Sequence, residues 1–82
     1  MGKRQVFSNY NYTSTGADAC TATLTRMHDD DGVDMFRMIW RDYYGREIKR
    51  KYYGRAFIAK WVLDVENANG ANWHTLSGFV ED

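Results

Sequence analysis

Thr21-Ala22-Thr23-Leu24-Thr25-Arg26-Met27-His28-Asp29-Asp30-Asp31-Gly32-Val33-Asp34-Met35-Phe36-Arg37-Met38-Ile39-Trp40-Arg41-Asp42 decides the fold. The threonine-rich first part favours strand, because β-branched side chains suit a pleated surface. In the second part Phe36, Met38 and Trp40 alternate with Arg37 and Arg41, the pattern of a sheet buried on one side. Between them an Asp-Gly pair signals a hairpin. With Asp31 and Gly32 as a two-residue loop, Met27 faces Phe36, Thr25 faces Met38 and Thr23 faces Trp40. Outward from there, strands are expected over 21–28, 35–44 and 47–53. Gly45-Arg46 serves as the second turn, and that register sets Asp42 opposite Lys49 and Arg41 opposite Arg50.

Residues 55–68 read as helix, with Phe57, Ile58, Trp61, Val62 and Val65 on one apolar face and Leu63 pointing away from it. Gly54 is a modest start, whereas Asn67-Ala68-Asn69-Gly70 is a good stop. The residues leave a rival reading open, in which Asn69-Gly70 turns a strand over 61–66 into one over 73–80. The polar run before Thr21 reads as a loose arm with one short strand near Val6 and Phe7. The expected fold is therefore α+β: an antiparallel sheet of three to four strands with one helix of the C-terminal half packed on one face. The chain forms one domain, 1–82, divided into an arm (1–19), a sheet (20–53), a helix (54–69) and a tail (70–82) that covers the core as a strand or extended segment.

Eighty-two residues, 44% hydrophobic and 27% charged, suit one small globular core. No apolar run approaches 18 residues, so no membrane span is expected. No basic, apolar leader opens the chain, and the expected location is cytoplasmic. The single cysteine, Cys20, has no internal partner for a disulfide. No phosphate-binding glycine loop and no nucleophile elbow is present, so neither an enzyme nor a cofactor is expected. Asp29-Asp30-Asp31-Gly32 invites a calcium reading. An EF-hand loop with its glycine at Gly32 would start at Met27 and end at Met38, neither of which ligates calcium, and a solvated turn is the simpler reading. With two histidines and one cysteine, no metal site is expected.

Net charge is zero but unevenly distributed: residues 1–36 sum to −2, 37–60 to +6 and 61–82 to −4. Within the basic segment Tyr43-Tyr44-Gly45-Arg46 recurs as Tyr52-Tyr53-Gly54-Arg55 around Lys49, Arg50 and Lys51. Cations interleaved with aromatic rings suit nucleic acid, the cations meeting phosphates and the rings bases or sugars. The plainer alternative makes one tyrosine of each pair core and the other an ordinary surface residue.

The stretch from Phe36 to Ala56 resembles the N-terminal arm-type DNA-binding domain of phage tyrosine recombinases, in which an aromatic, basic strand, a glycine turn and a second basic strand precede a helix. The resemblance implies a three-stranded sheet laid in the major groove. It makes Arg37, Arg41, Lys49, Arg50 and Lys51 candidate contacts. Tyr43, Arg46, Tyr52 and Arg55 join them from the aromatic-basic repeat. In size and style the chain is also similar to small phage-encoded inhibitors such as anti-CRISPR proteins. Three readings follow: a non-enzymatic nucleic-acid-binding module of phage or mobile-element origin, a protein-docking inhibitor of a host nucleic-acid-processing complex, and a small enzyme.

Overall fold

The computed structural model describes residues 4–12 and 18–76. Among these, five strands and one helix follow in the order β1 (Arg4–Asn9), β2 (Thr21–His28), β3 (Asp34–Arg41), β4 (Glu47–Tyr53), α1 (Ala56–Ala68) and β5 (Trp73–Thr75). The strands form one antiparallel sheet in the spatial order β4-β3-β2-β1-β5. The fold is α+β with the helix packed on one face, and its sheet has one strand more than the upper expectation. Residues 61–66 lie in α1, which excludes the third hairpin.

β1 is an interior strand of the sheet, a correction to the loose arm expected over 1–19. Gln5, Phe7 and Asn9 point inward and are buried. Two of the three are polar, which hides the alternation from a hydropathy reading. Asn9 tolerates burial because both ends of its amide are engaged: Nδ2 donates to the Ala19 carbonyl, and Oδ1 accepts from the Asn11 and Asn72 backbone amides. The tail contributes β5, which pairs with β1; the remainder of the expected 73–80 segment, beyond Leu76, lies outside the described residues.

Both hairpin registers differ from expectation, for one reason. Asp29 and Asp42 each open the same turn. Gly32 donates its amide to the Asp29 carbonyl and Asp29 donates to the Val33 carbonyl; Gly45 to Asp42 and Asp42 to Arg46 repeat these bonds. Asp29 Oδ1 accepts from the Asp31 and Val33 amides, and Asp42 Oδ1 from the Tyr44 and Arg46 amides. Only the glycines take positive φ, +78° at Gly32 and +82° at Gly45. At Asp31-Gly32 a two-residue type I′ loop needs a second residue there. At Gly45-Arg46 a type II′ turn needs only the glycine, but the Asp42 carboxylate and backbone bonds close the loop one residue earlier, so Asp-x-x-Gly forms a three-residue loop at both. Leu24 then faces Met38 and Ala22 faces Trp40, one residue off the expected register. On the other side Trp40 faces Lys49 and Ile39 faces Arg50; a bulge beyond Trp40 sets Arg41 opposite Glu47. The expected Arg41–Arg50 and Asp42–Lys49 pairs do not form.

The helix is rotated from the expected orientation. Ala59 and Leu63 are buried, with Ala56 and Val62 packed beside them, while Phe57 and Trp61 are 69% and 63% exposed. Phe7, Phe36, Met38, Trp40 and Trp73 already crowd the covered sheet face. Small residues let the helix backbone approach that surface, whereas the Phe57 and Trp61 rings would overfill it. α1 ends in a Schellman motif around Gly70 (φ +110°), with Ala71 donating to the Glu66 carbonyl and Gly70 to that of Asn67. Asn67 also fastens the helix to β5 by accepting from the Trp73 amide.

Candidate nucleic-acid interface

Alternation along the strands sorts every side chain to one of two faces. Phe7, Ala22, Leu24, Phe36, Met38 and Trp40 meet the helix. The opposite face is left uncovered by any described element. Cross-strand pairing fixes its rows: Arg4, Thr25, Arg37 and Tyr52 in one, Val6, Thr23, Ile39 and Arg50 in the next, and Ser8, Thr21, Arg41 and Glu47 in the third. Four arginines and one glutamate thus lie on a threonine-rich surface. With strands about 4.8 Å apart and about 3.4 Å per residue, the basic area spans roughly 14 × 13 Å.

Arg50, Arg41 and Arg37 differ in commitment. Arg50 is engaged by Glu47 through two bonds, Nη2 to Oε1 at 2.7 Å and Nε to Oε2 at 3.1 Å. That hydrogen bond, with the charges of Arg50, Arg41 and Arg37, holds the Glu47 carboxyl below its ordinary value despite partial desolvation. Arg50 in turn is held protonated by Glu47 and by the Tyr52 hydroxyl. Arg41 makes no ion pair among the described residues. Arg37 is half-buried, with its Nε buried and without a hydrogen-bond partner.

The structure brings four of the nine expected contacts, Arg37, Arg41, Arg50 and Tyr52, onto this face. Tyr43 and Arg46 stand at the end of the sheet in the Asp42 turn. There Tyr43 stacks on Tyr12 at 5.6 Å, meets Tyr44 edge-on at 5.2 Å, and the Arg46 guanidinium lies 5.3 Å over the Tyr44 ring. Arg46 also binds the buried Asp42 carboxylate at 2.7 Å. Burial pushes the Asp42 carboxyl up, but the Arg46 and Tyr44 amides and the Arg46 guanidinium outweigh it and hold the group below its ordinary value.

The remaining three point elsewhere. Lys49 lies on the helix side, its Nζ 4.1 Å from the centre of the Trp40 ring and 3.5 Å from the Glu66 carboxylate. Lys51 shares that side, opposite Met38, and Arg55 is the extended residue before the helix. Arg4 and the Thr21/Thr23/Thr25 row were missing from the expected site. Their signal was the alternation of Arg4, Val6 and Ser8 against Gln5, Phe7 and Asn9, masked by reading this segment as a loose arm.

The two Tyr-Tyr-Gly-Arg copies are not structurally equivalent: the first forms a turn and the second joins β4 to α1. In the second, Tyr53 packs on the core and Tyr52 stays on the open face, as the plainer alternative held; in the first, Tyr43 and Tyr44 are both exposed, against it. The acidic turn 29–34 lies at the far end of β3 from Arg41, roughly 24 Å away, so the charges stay separated. Among the described residues no group of side chains is arranged to hold a metal ion, and no helix is long and apolar enough to cross a membrane. Compared with known proteins, the chain matches no family model, no curated protein and no solved structure.

Proposed function

We propose that this protein is a non-enzymatic nucleic-acid-binding module that lays its uncovered sheet face against the phosphate backbone. The observation that carries this reading is the placement of Arg4, Arg37, Arg41 and Arg50 on one face of the sheet with the helix confined to the other. A two-stranded ribbon is what the major groove of duplex DNA, about 12 Å wide, admits, and the four-stranded basic area is wider, so it meets the phosphates that border the groove. Threonine hydroxyls and the Tyr52 ring supply polar and stacking contacts between the cations.

With Arg50 held by Glu47, three phosphate contacts, from Arg4, Arg37 and Arg41, give a log–log salt slope near −2.7, a loss of roughly 40-fold in affinity between 50 and 200 mM salt. Arg41→Ala is expected to flatten the slope by about 0.9. Glu47→Gln, which releases Arg50, is expected to tighten binding about five- to tenfold near 0.1 M salt. Titrating a generic duplex and a single-stranded oligonucleotide across this salt range tests both. If micromolar protein shifts neither oligonucleotide at 50 mM salt, the reading fails.

The Tyr12, Tyr43, Tyr44 and Arg46 cluster favours a second reading, docking on another protein, because tyrosine and arginine are the residue types that concentrate binding energy at interfaces. Under it a partner complex survives nuclease treatment and is lost in Tyr44→Ala, with oligonucleotide binding absent.

A further inference from the structure

The outer surface of α1 is apolar in the middle and charged along one side. Phe57, Trp61 and Val65, four residues apart, form a stripe that Ile58 widens; all four are exposed. Together they present about 400 Å² of apolar surface, the size of the largest patch on an ordinary monomer and enough for the centre of a small interface. On the helical wheel Lys60 and Asp64 share the flank of this stripe, one turn apart. Neither makes an ion pair or a hydrogen bond among the described residues.

We propose that the stripe is covered by the same helix of a second copy, packed antiparallel about a two-fold axis. Three observations select a second copy. In an antiparallel helix pair each flank faces the same flank of its partner with the sequence reversed. Lys60 then meets Asp64 of the other copy, and Asp64 meets its Lys60, so one flank is complementary to itself. Lys60 lies in the N-terminal half of the helix and Asp64 in the C-terminal half, so the antiparallel arrangement opposes unlike charges and unlike dipole ends. The net charge of the chain is zero, which removes the long-range repulsion that keeps like molecules apart. The apolar area is modest, and the dimer is accordingly weak, forming at tens to hundreds of micromolar.

Sedimentation equilibrium of the full chain tests this from about 10 to about 500 µM at low salt. The average mass is expected to rise from 9.6 kDa toward twice that value. Trp61→Glu, at an exposed position, is expected to remain monomeric throughout with an unchanged circular-dichroism spectrum. Lys60→Glu alone sets like charges face to face and weakens association roughly tenfold; adding Asp64→Lys restores the pairing with its signs exchanged. Recovery in the double variant is specific to an antiparallel copy. A mass that stays at 9.6 kDa at the highest concentration overturns the proposal and leaves the stripe to a different protein. Dimerisation that ignores both charge reversals overturns it equally.

Discussion

Asp29 and Asp42 show how two side chains set the geometry of a sheet. Each carboxylate accepts two backbone amides across the turn that it opens, and each turn closes with a glycine at positive φ. A matched pair of substitutions separates conformation from contact. Gly45 and Gly54 occupy the same place in the two Tyr-Tyr-Gly-Arg copies, and a Cβ at either meets nothing within 4 Å. Only Gly45 has positive φ. Gly45→Ala is therefore expected to cost about 1–2 kcal/mol through backbone strain alone. Gly54→Ala is expected to be neutral or to stabilise by up to about 1 kcal/mol through the unfolded chain. Urea unfolding of the two variants checks this, and equal losses would show that the glycines are needed for something other than φ. The sequence showed glycine turns at both positions. It did not show the loop length, because a glycine turn suits a two-residue and a three-residue hairpin alike, and the aspartate that decides between them stands three residues before each glycine.

Among the elements, strand 21–28 was legible from its β-branched residues, the strand expected over 35–44 from its alternation, and 47–53 from the glycine turn before it. The second of these ends at Arg41, because residues 42–44 belong to the Asp42 turn. The helix was legible from its 3.6-residue period. Its orientation was not. Two stripes compete on α1: a large apolar one, Phe57, Trp61 and Val65, and a small one, Ala56, Ala59 and Leu63. A reading weighted by hydrophobicity chooses the first, but the sheet beneath is already filled by Trp40, Phe36 and Met38, and space selects the second. The consequence is measurable. Leu63→Ala, which empties a site 3% exposed, is expected to cost about 2–5 kcal/mol. Trp61→Ala, despite removing the larger side chain, is expected to cost less than about 1 kcal/mol in dilute solution. Denaturant midpoints of the two variants decide the orientation, and the reverse order would turn the helix over. β1 escaped for the opposite reason: its inward residues Gln5 and Asn9 are polar, and only the surrounding backbone groups explain how Asn9 is buried.

For the whole molecule, the uncovered sheet face and the helix stripe point in opposite directions. The sheet lies between the arginine surface and the helix, and the helix carries its apolar stripe on the side away from the sheet. Two copies joined through α1 would place their basic faces outermost, separated by about 30 Å across stacked layers of roughly 10 Å each. Such a dimer does not set two arginine surfaces on adjacent half-sites of one duplex; it presents them to two separate duplexes. The expected outcome is bridging. A surface-tethered duplex loaded with wild-type protein is expected to retain a second, labelled duplex that is free in solution. Trp61→Glu is expected to bind the tethered duplex with the affinity of a single face but to retain none of the second. Arg41→Ala is expected to reduce both in proportion. Retention by Trp61→Glu equal to that of the wild type would show that bridging does not pass through the helix. Cooperative binding of the wild type to two inverted half-sites on one duplex, dependent on their spacing, would mean that the two basic faces lie side by side and that the copies meet elsewhere.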